Sequence, residues 1–470
     1  MKSKNLPFYL VIVALFIGIT SPALFADGMF MDGLLYAAIS KNLAHNLGSF
    51  WDLHLTNTLY PHFHEHPPLA IGLQSLFFRL FGDDMLVERF YSFITFIITG
   101  WIMTRIWKKI TNIEFYYLAW LPLLFWISIT LVSWAASNNL LENTMMIFTS
   151  LSILFLLKSL EAKRFLYLSL SGIMLFLGFL TKGLVAFFPL SIPFWIFIIK
   201  RDINFKRFII DTSILCIAAL IPLLLIFKIQ PESLESLKAY FNIQVIESIK
   251  NVKTVDSRFS ILGRLFLELF PIVVLMIFAF IFTAKSVKSF KISKWAYVFI
   301  ALGLAGVIPI MISMKQRSFY ILATLPIFSI ALADIIAPKV HFLTHRIKTE
   351  SKGFSIFRTI SYLLIIASLI IAIIQPMRIG RNKDQILDIY KVIKIVHKDS
   401  TISIQDDLKT DWSLHGYFSR YANISLDFNK DSKHQFFLVL KGTTNEMLNG
   451  YKKKNIDLIV YDLYEKEKKK

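Results

Sequence analysis

The sequence predicts an all-α polytopic membrane protein with about eleven transmembrane helices plus interfacial helices, followed by a small C-terminal α/β domain. Three observations predict it. Hydrophobic residues make up 55% of the chain and its mean hydropathy is +0.58, whereas soluble domains stay near 45–50% apolar. The apolar residues come in repeated runs of roughly 17–23, the length a helix needs to cross about 30 Å of hydrocarbon. The 51 Lys and Arg recur in short clusters between those runs. The net charge of +19 therefore has the pattern of the positive-inside rule rather than that of a nucleic-acid surface.

Taken in order, the expected spans lie at 6–26, 85–107, 113–133, 139–157, 165–180, 184–199, 208–228, 265–284, 295–312, 318–336 and 357–375. The start "MKSKNLPFYLVIVALFIGITSPALFADG" has a basic head, and its "ALFADG" loosely resembles a cleavage site. Its apolar run is long enough to span, so a retained first helix is expected. With the N-terminus in the cytoplasm, the inside connections are "RIWKK", "KSLEAKR", "KRDINFKR", "KSVKSFKISK" and "KVHFLTHRIKTESKGFSIFR". The short outside connections are nearly free of Lys and Arg, apart from Lys182, Lys315 and Arg317. Cys216 is the sole cysteine and sits within an apolar run, so an internal disulfide is impossible.

Two outside segments are long. The first, 27–84, contains "GLLYAAISKNLAHN" and "PLAIGLQSLFFRLFG", amphipathic or half a membrane thick, which suits helices lying at the interface. The second, 229–264, is also amphipathic. Residues 1–376 form the membrane domain. From 377 to 470 the chain becomes charged, with short β-rich runs such as "STISIQ", "QFFLVL" and "IDLIVYDL". This tail is expected outside, as a small domain that shapes acceptor access and carries no evident catalytic group; its terminal "EKEKKK" is expected to fray. No internal repeat is visible.

Charged groups at membrane depth are costly, so those at the outer ends of spans are functional candidates. They are Asp27, Asp32, Glu65, Arg89, Glu142, Lys182, Lys315 and Arg317, with His62, His64 and His66. Asp27 is expected to be a polar loop residue. Asp32 precedes a helical stretch and suits an N-cap; partly desolvated, it also suits a general base. In "LYPHFHEHPPLAIG", Pro67 and Pro68 open the next helix. Alternating histidines on an extended segment share a side, so His64, Glu65 and His66 form a candidate set for a divalent metal ion, the one cofactor considered. They match no standard ligand spacing, and a polar loop contacting headgroups or substrate is the preferred reading. Glu142, within "WAASNNLLENTMMIF", needs an interior position or a cation. Lys182, Lys315 and Arg317 suggest anion recognition, with snorkelling to headgroup phosphates as the plainer reading of each.

The pieces together resemble a known family. "DGLLYAAISKNLAHNLGSFW", "HEHPPLAIGLQSLFFRLFGDDMLVERF", "LLEN", "LTKG" and "KQRSFYILATLP" are similar, in order, to motifs of the protein O-mannosyltransferases and lipid A aminoarabinose transferases. The resemblance runs from about residue 5 to 335. It implies the GT-C fold, an extracytoplasmic active site built on the first loop, a polyprenyl-phosphate-linked sugar donor and inverting transfer. It places Asp32 as the catalytic acid/base and Glu142 as the second carboxylate. Tyr36, Glu65, His66 and Arg89 become substrate-binding residues, with Lys182, Lys315, Arg317 and Tyr320 in the donor-phosphate region. Gly33 stands where the family usually has Glu.

The abundance of Ile, Lys, Phe and Asn is compatible with an AT-rich bacterial genome, so the expected protein is a bacterial inner-membrane glycosyltransferase whose lipid carrier is undecaprenyl phosphate. Its partners are the lipid-linked donor, membrane lipids and a lipid, glycan or protein acceptor, with no nucleic acid. The alternatives are a surface-polysaccharide polymerase or ligase, and a flippase or transporter of lipid-linked sugars. A transporter would be expected to show internal repeats and midplane binding groups, whereas here the polar residues cluster at one face.

Overall fold

Pro7 in its first turn and an uninterrupted apolar run make α1 (Leu6–Leu24) a simple crossing. The computed structural model describes residues 4–283, 291–375, 378–443 and 448–467. The basic connection "KSVKSFKISK", the junction at 376–377 and the end of "EKEKKK" lie wholly or partly outside those residues. Two shorter helices, α2 (Met31–Ala44) and α3 (Leu69–Phe81), belong to the first long connection, and α4 (Val87–Ile110) is the next crossing.

The third pass is broken. A 3₁₀ turn at Ile113–Leu118 leads into α5 (Trp120–Ser128) and α6 (Thr130–Ala136), which are separated at the extended residue Ile129. Interrupted helices leave backbone groups unpaired at membrane depth unless protein supplies partners. Here the buried Glu268 carboxylate accepts from the Leu131 N–H at 3.1 Å.

After α7 (Leu141–Ser159) comes α8 (Arg164–Lys182), which ends at Gly183 with φ +81°. The chain then turns back. Phe187 stacks on Phe179 with centroids 5.5 Å apart, and the return leg runs through 3₁₀ residues 183–191, α9 (Ile192–Trp195) and a π-helical turn at 196–200. The Tyr240 hydroxyl fills the space a Cβ at 183 would need, so the reversal requires glycine on two counts. The next helix, α10 (Phe205–Ile229), begins beside the start of α8, where Arg164 donates to Asp211 at 2.7 Å.

The second long connection holds α11 (Glu232–Tyr240), a π-helical stretch at 241–246 and α12 (Glu247–Lys250). Four further helices follow: α13 (Ser260–Thr283), α14 (Lys294–Val307), α15 (Leu325–His345) and α16 (Lys352–Ile373). Among the described residues nine helical segments are long and apolar enough to cross a membrane. One of them, Arg164–Lys200, is the hairpin just described, and the broken third pass is too fragmented to be included. Those two features account for the difference from the eleven passes expected.

The apolar spans differ sharply in burial. The window containing α15 is 83% buried, whereas those of α10, α13 and α16 are 17%, 17% and 11% buried. An apolar helix that stays exposed in the folded chain faces lipid, so α15 is the central strut and the other three form the lipid-facing rim.

The C-terminal region contains α17 (Lys383–Val392) and α18 (Trp412–Ala422) around a five-stranded mixed sheet. The strands are β1 (Thr401–Ile404), β2 (Ser425–Asp427), β3 (Phe436–Leu440), β4 (Tyr451–Lys453) and β5 (Tyr461–Lys466), in spatial order β2-β1-β3-β5-β4. β1 is parallel to β2 and β3, while β5 is antiparallel to β3 and β4. Its core takes in Met29 and Leu34 of the first long connection, so the small domain is built onto that connection.

Polar anchors secure the same seam. Asp27, expected to be a polar loop residue, accepts from the hydroxyls of Tyr421 at 2.5 Å and of Tyr390. Lys41 donates to the carbonyls of Ser419 and Arg420 near the end of α18 at 3.1 and 2.7 Å, where a cation complements the helix dipole. Arg420 pairs with Glu88 at 2.7 Å and also donates to the Asp83 and Asp84 carbonyls.

Candidate active site

A cavity of about 930 Å³ opens at the end of the helices roofed by the C-terminal domain. Asp32, Tyr36, Glu65, His66, Glu142, Lys182, Lys315, Arg317 and Tyr320 all line it. Among the described residues the basic connections gather at the opposite end, tied by Lys109 to Glu161, Arg164 to Asp211, and Lys4 to the His345 carbonyl at 2.9 Å.

Asp32 lies in the first turn of α2. The N-cap is Phe30, which offers no side-chain cap, so the capping role expected of Asp32 is absent. The carboxylate is half-buried and has no hydrogen-bond or ion-pair partner among the described residues. Burial pushes its pKa up to about 6; Glu142 and Glu65 add to the rise, while Lys182 and Arg317 oppose it.

Glu142, in the first turn of α7, is fully buried and ion-paired with Lys182 at the end of α8. One of its oxygens has no hydrogen-bond partner among the described residues. Lys182 also lies 5.5 Å from the ring centroids of both Phe319 and Tyr320. Lys315 donates to Gln244 at 3.0 Å and Ser248 at 3.3 Å, and burial lowers its pKa. Arg317 is exposed to the cavity, and its guanidinium has no partner among the described residues. The cavity thus pairs one cation with a carboxylate and leaves Lys315 and Arg317 for an anionic guest.

The three histidines diverge. His62 contacts Asp52 at 2.9 Å, and His64 contacts Ser236 at 3.1 Å and Asp52 at 3.5 Å. His66 packs edge-on against Tyr36 at 5.6 Å, while Glu65 accepts from the Tyr60 hydroxyl at 2.5 Å. His64, Glu65 and His66 therefore do not form the metal set considered: the extended alternation is lost in bends before Pro67. Among the described residues no group of three or more His, Cys, Asp or Glu is placed to hold a metal ion. Burial, reinforced by Lys182 and Lys315, holds the His66 pKa well below its ordinary value, and its Nδ1 has no partner among the described residues.

Arg89 does not reach the cavity either. Its guanidinium donates to the carbonyls of Ala23 at 2.6 Å, Gly28 at 2.8 Å and Ser137 at 3.0 Å. It clips the end of α1 to the turn before α7 and acts as a structural brace. A buried arginine bonded to three carbonyls cannot be told from a ligand-binding one by sequence position alone.

Residues 65–227 match the family model described as dolichyl-phosphate-mannose-protein mannosyltransferase. No curated protein matches the chain at the sequence level. Among solved structures, ArnT from Cupriavidus metallidurans bound to undecaprenyl phosphate superposes with a TM-score of 0.65 at 13% identity, covering 98% of each chain. Its apo state also gives 0.65, at 12% identity, covering 98% of this chain and 97% of its own. The chain has the GT-C fold.

The GT-C resemblance seen in the motifs is thus borne out. The geometry also explains how the chain departs from the motif at Gly33. A Cβ there would lie 1.8 Å from the Asn138 carbonyl oxygen, so the close approach of the 137–139 turn to α2 excludes any side chain. The cavity further recruits residues that the motifs do not mark. Tyr60 comes from the first connection, Tyr240, Gln244 and Ser248 from the second, and Arg381, Trp412 and Ser413 from the C-terminal domain. The one available signal was compositional: Tyr60 and Trp412 are aromatic residues in otherwise polar stretches.

Proposed function

We propose that the protein is an integral-membrane glycosyltransferase that moves a sugar from a polyprenyl phosphate, undecaprenyl phosphate in a bacterial membrane, to an extracytoplasmic acceptor with inversion. The acceptor is lipid A, another glycolipid or a protein. The N-terminus lies in the cytoplasm, and the cavity and C-terminal domain face outside. The observation that carries this reading is the division of the cavity. An unpaired, half-buried carboxylate at Asp32 stands among Lys182, Lys315 and Arg317, and apolar walls from Leu184, Phe188, Ala305, Pro309 and Ile310 continue from them. Such a cavity suits a charged phosphate carrying an apolar tail. The solved ArnT likeness holds undecaprenyl phosphate.

In the reaction the acceptor oxygen attacks the anomeric carbon from the face opposite the phosphate. The new carbon–oxygen bond forms as the bond from the anomeric carbon to the phosphate oxygen breaks, and polyprenyl phosphate leaves with the bonding pair. Asp32 takes the acceptor proton. Phosphate is already a competent leaving group, so the remaining demand is for charge stabilisation by Lys315 and Arg317, with Lys182 positioned by Glu142. His66, neutral beside these cations, is suited to accept a hydrogen bond from the donor.

The test is transfer by the purified protein from undecaprenyl-phosphate sugars to extracted envelope acceptors. Wild type should transfer with inversion. Asp32→Asn should lose at least about a hundredfold in rate while inserting and melting like wild type. Near-normal turnover in that variant would remove Asp32 from the mechanism. Translocation in vesicles without bond exchange would favour the transporter reading instead.

A further inference from the structure

Where the C-terminal domain meets the first long connection, the cavity has a wall unlike its phosphate side. Tyr60 and Trp412 stack there, with ring centroids 5.8 Å apart and planes 26° from parallel. Tyr60 has φ +50°, a conformation that bulky residues rarely adopt and that persists only where the surroundings over-determine it. In this pose its hydroxyl donates to Glu65 Oε1 at 2.5 Å, and its ring also packs edge-on against Phe63. On the domain's side of the cavity, the exposed Arg381 guanidinium lies 5.6 Å over the Phe30 ring with no ion-pair partner among the described residues. All four of Tyr60, Glu65, Arg381 and Trp412 line the cavity.

A strained tyrosine stacked on a tryptophan, beside a carboxylate and a free guanidinium, is more than a domain seam requires. Arg420, Lys41 and Asp27 already hold that seam. The chemistry that fits the wall is a pyranose ring. Its C–H face packs on aromatic rings, while its hydroxyl rim donates to a carboxylate and accepts from a guanidinium. We propose that Tyr60, Glu65, Arg381 and Trp412 form an acceptor subsite for a saccharide, so that the sugar acceptor is itself a glycan or glycolipid held partly by the C-terminal domain. The inference rests on the glycosyltransferase reading and selects within it. A peptide acceptor is the competing class.

The experiment uses the full chain in lipid nanodiscs with undecaprenyl phosphate added, probed by saturation-transfer NMR. The probes are methyl hexopyranosides, the same pyranosides on an octyl chain, and a heptapeptide containing serine and threonine. At least one pyranoside should receive saturation on its ring C–H protons, and Trp412→Ala should weaken its binding about tenfold. Trp412→Phe, which keeps an aromatic ring and guards against misfolding, should retain most of the binding. Tyr60→Phe, which keeps the stack and frees Glu65, should weaken it less than Trp412→Ala does. Binding of methyl and octyl forms alike supports a glycan acceptor; binding of the octyl form alone supports a glycolipid. The proposal is overturned if no pyranoside binds, if binding survives Trp412→Ala unchanged, or if the peptide occupies the wall in its place. A separate titration of undecaprenyl phosphate keeps the two readings apart, since failure there in wild type defeats the glycosyltransferase reading itself.

Discussion

Asp32 and Glu142 are two carboxylates at the same end of the bundle, and their surroundings set them apart. Glu142 spends its charge on Lys182, whereas Asp32 has no partner among the described residues and a pKa raised to about 6. A base acts when deprotonated, so kcat/KM should fall about tenfold per pH unit below pH 6 and level off above it. The bound donor brings another negative charge, which raises a nearby carboxyl further. The limb in kcat should therefore lie at higher pH than the limb in kcat/KM, and coincident limbs in the two profiles would argue against Asp32 as the base. Replacing Lys182 by Met strands a buried carboxylate at 142, at a cost of about 3–5 kcal/mol. The melting temperature should drop accordingly. The double variant with Glu142→Gln should recover most of the stability but none of the donor affinity. These residues were legible in the sequence because charges at membrane depth are rare; their pairing was not, since Glu142 and Lys182 lie on different helices.

Helix ends and turns carry the precision of the site. Lys182 reaches Glu142 because α8 stops at Gly183, whose left-handed conformation and contact with Tyr240 turn the chain back at that point. Asp32 is held at its depth by the contact of α2 with the 137–139 turn, where Gly33 meets Asn138 and the Asn139 side chain donates to the Gly33 carbonyl at 3.1 Å. Gly33→Ala would force backbone apart at that contact. We expect a loss of about 1–3 kcal/mol, visible as a lower melting temperature, together with a drop in kcat larger than the change in donor affinity. An alanine variant with wild-type stability and kcat would show that the contact is dispensable. The apolar runs announced the crossings, yet the broken third pass read like a plain span. Its interruption depends on Glu268, a partner more than a hundred residues away that local pattern does not reveal.

For the whole molecule, the joining of two folding units decides the shape of the cavity. Arg420 and Glu88 are 2% and 3% exposed at the seam, so removing either leaves the other buried and uncompensated. Arg420→Met should loosen the C-terminal domain while the membrane helices stay folded. The expected sign is faster limited proteolysis between α16 and α17, at unchanged detergent-solubilised helicity. Protection equal to wild type would mean that the apolar seam around Met29 and Leu34 suffices on its own.

By itself the sequence determined the membrane architecture, the end of the bundle at which the candidate residues gather, and most of the charged side chains that line the cavity. Those follow from the cost of moving polar groups into hydrocarbon, which acts on each segment separately and so leaves its mark in local composition. Only the tertiary structure decided which charges neutralise one another, that Arg89 braces the turn away from the cavity, and that His64, Glu65 and His66 point apart. The same is true of Arg381 and Trp412, which lie more than three hundred residues from Asp32 in the chain and reach its cavity because their domain folds onto the loop beside it. Contacts of that separation depend on packing between distant segments, and no local pattern of residues encodes them.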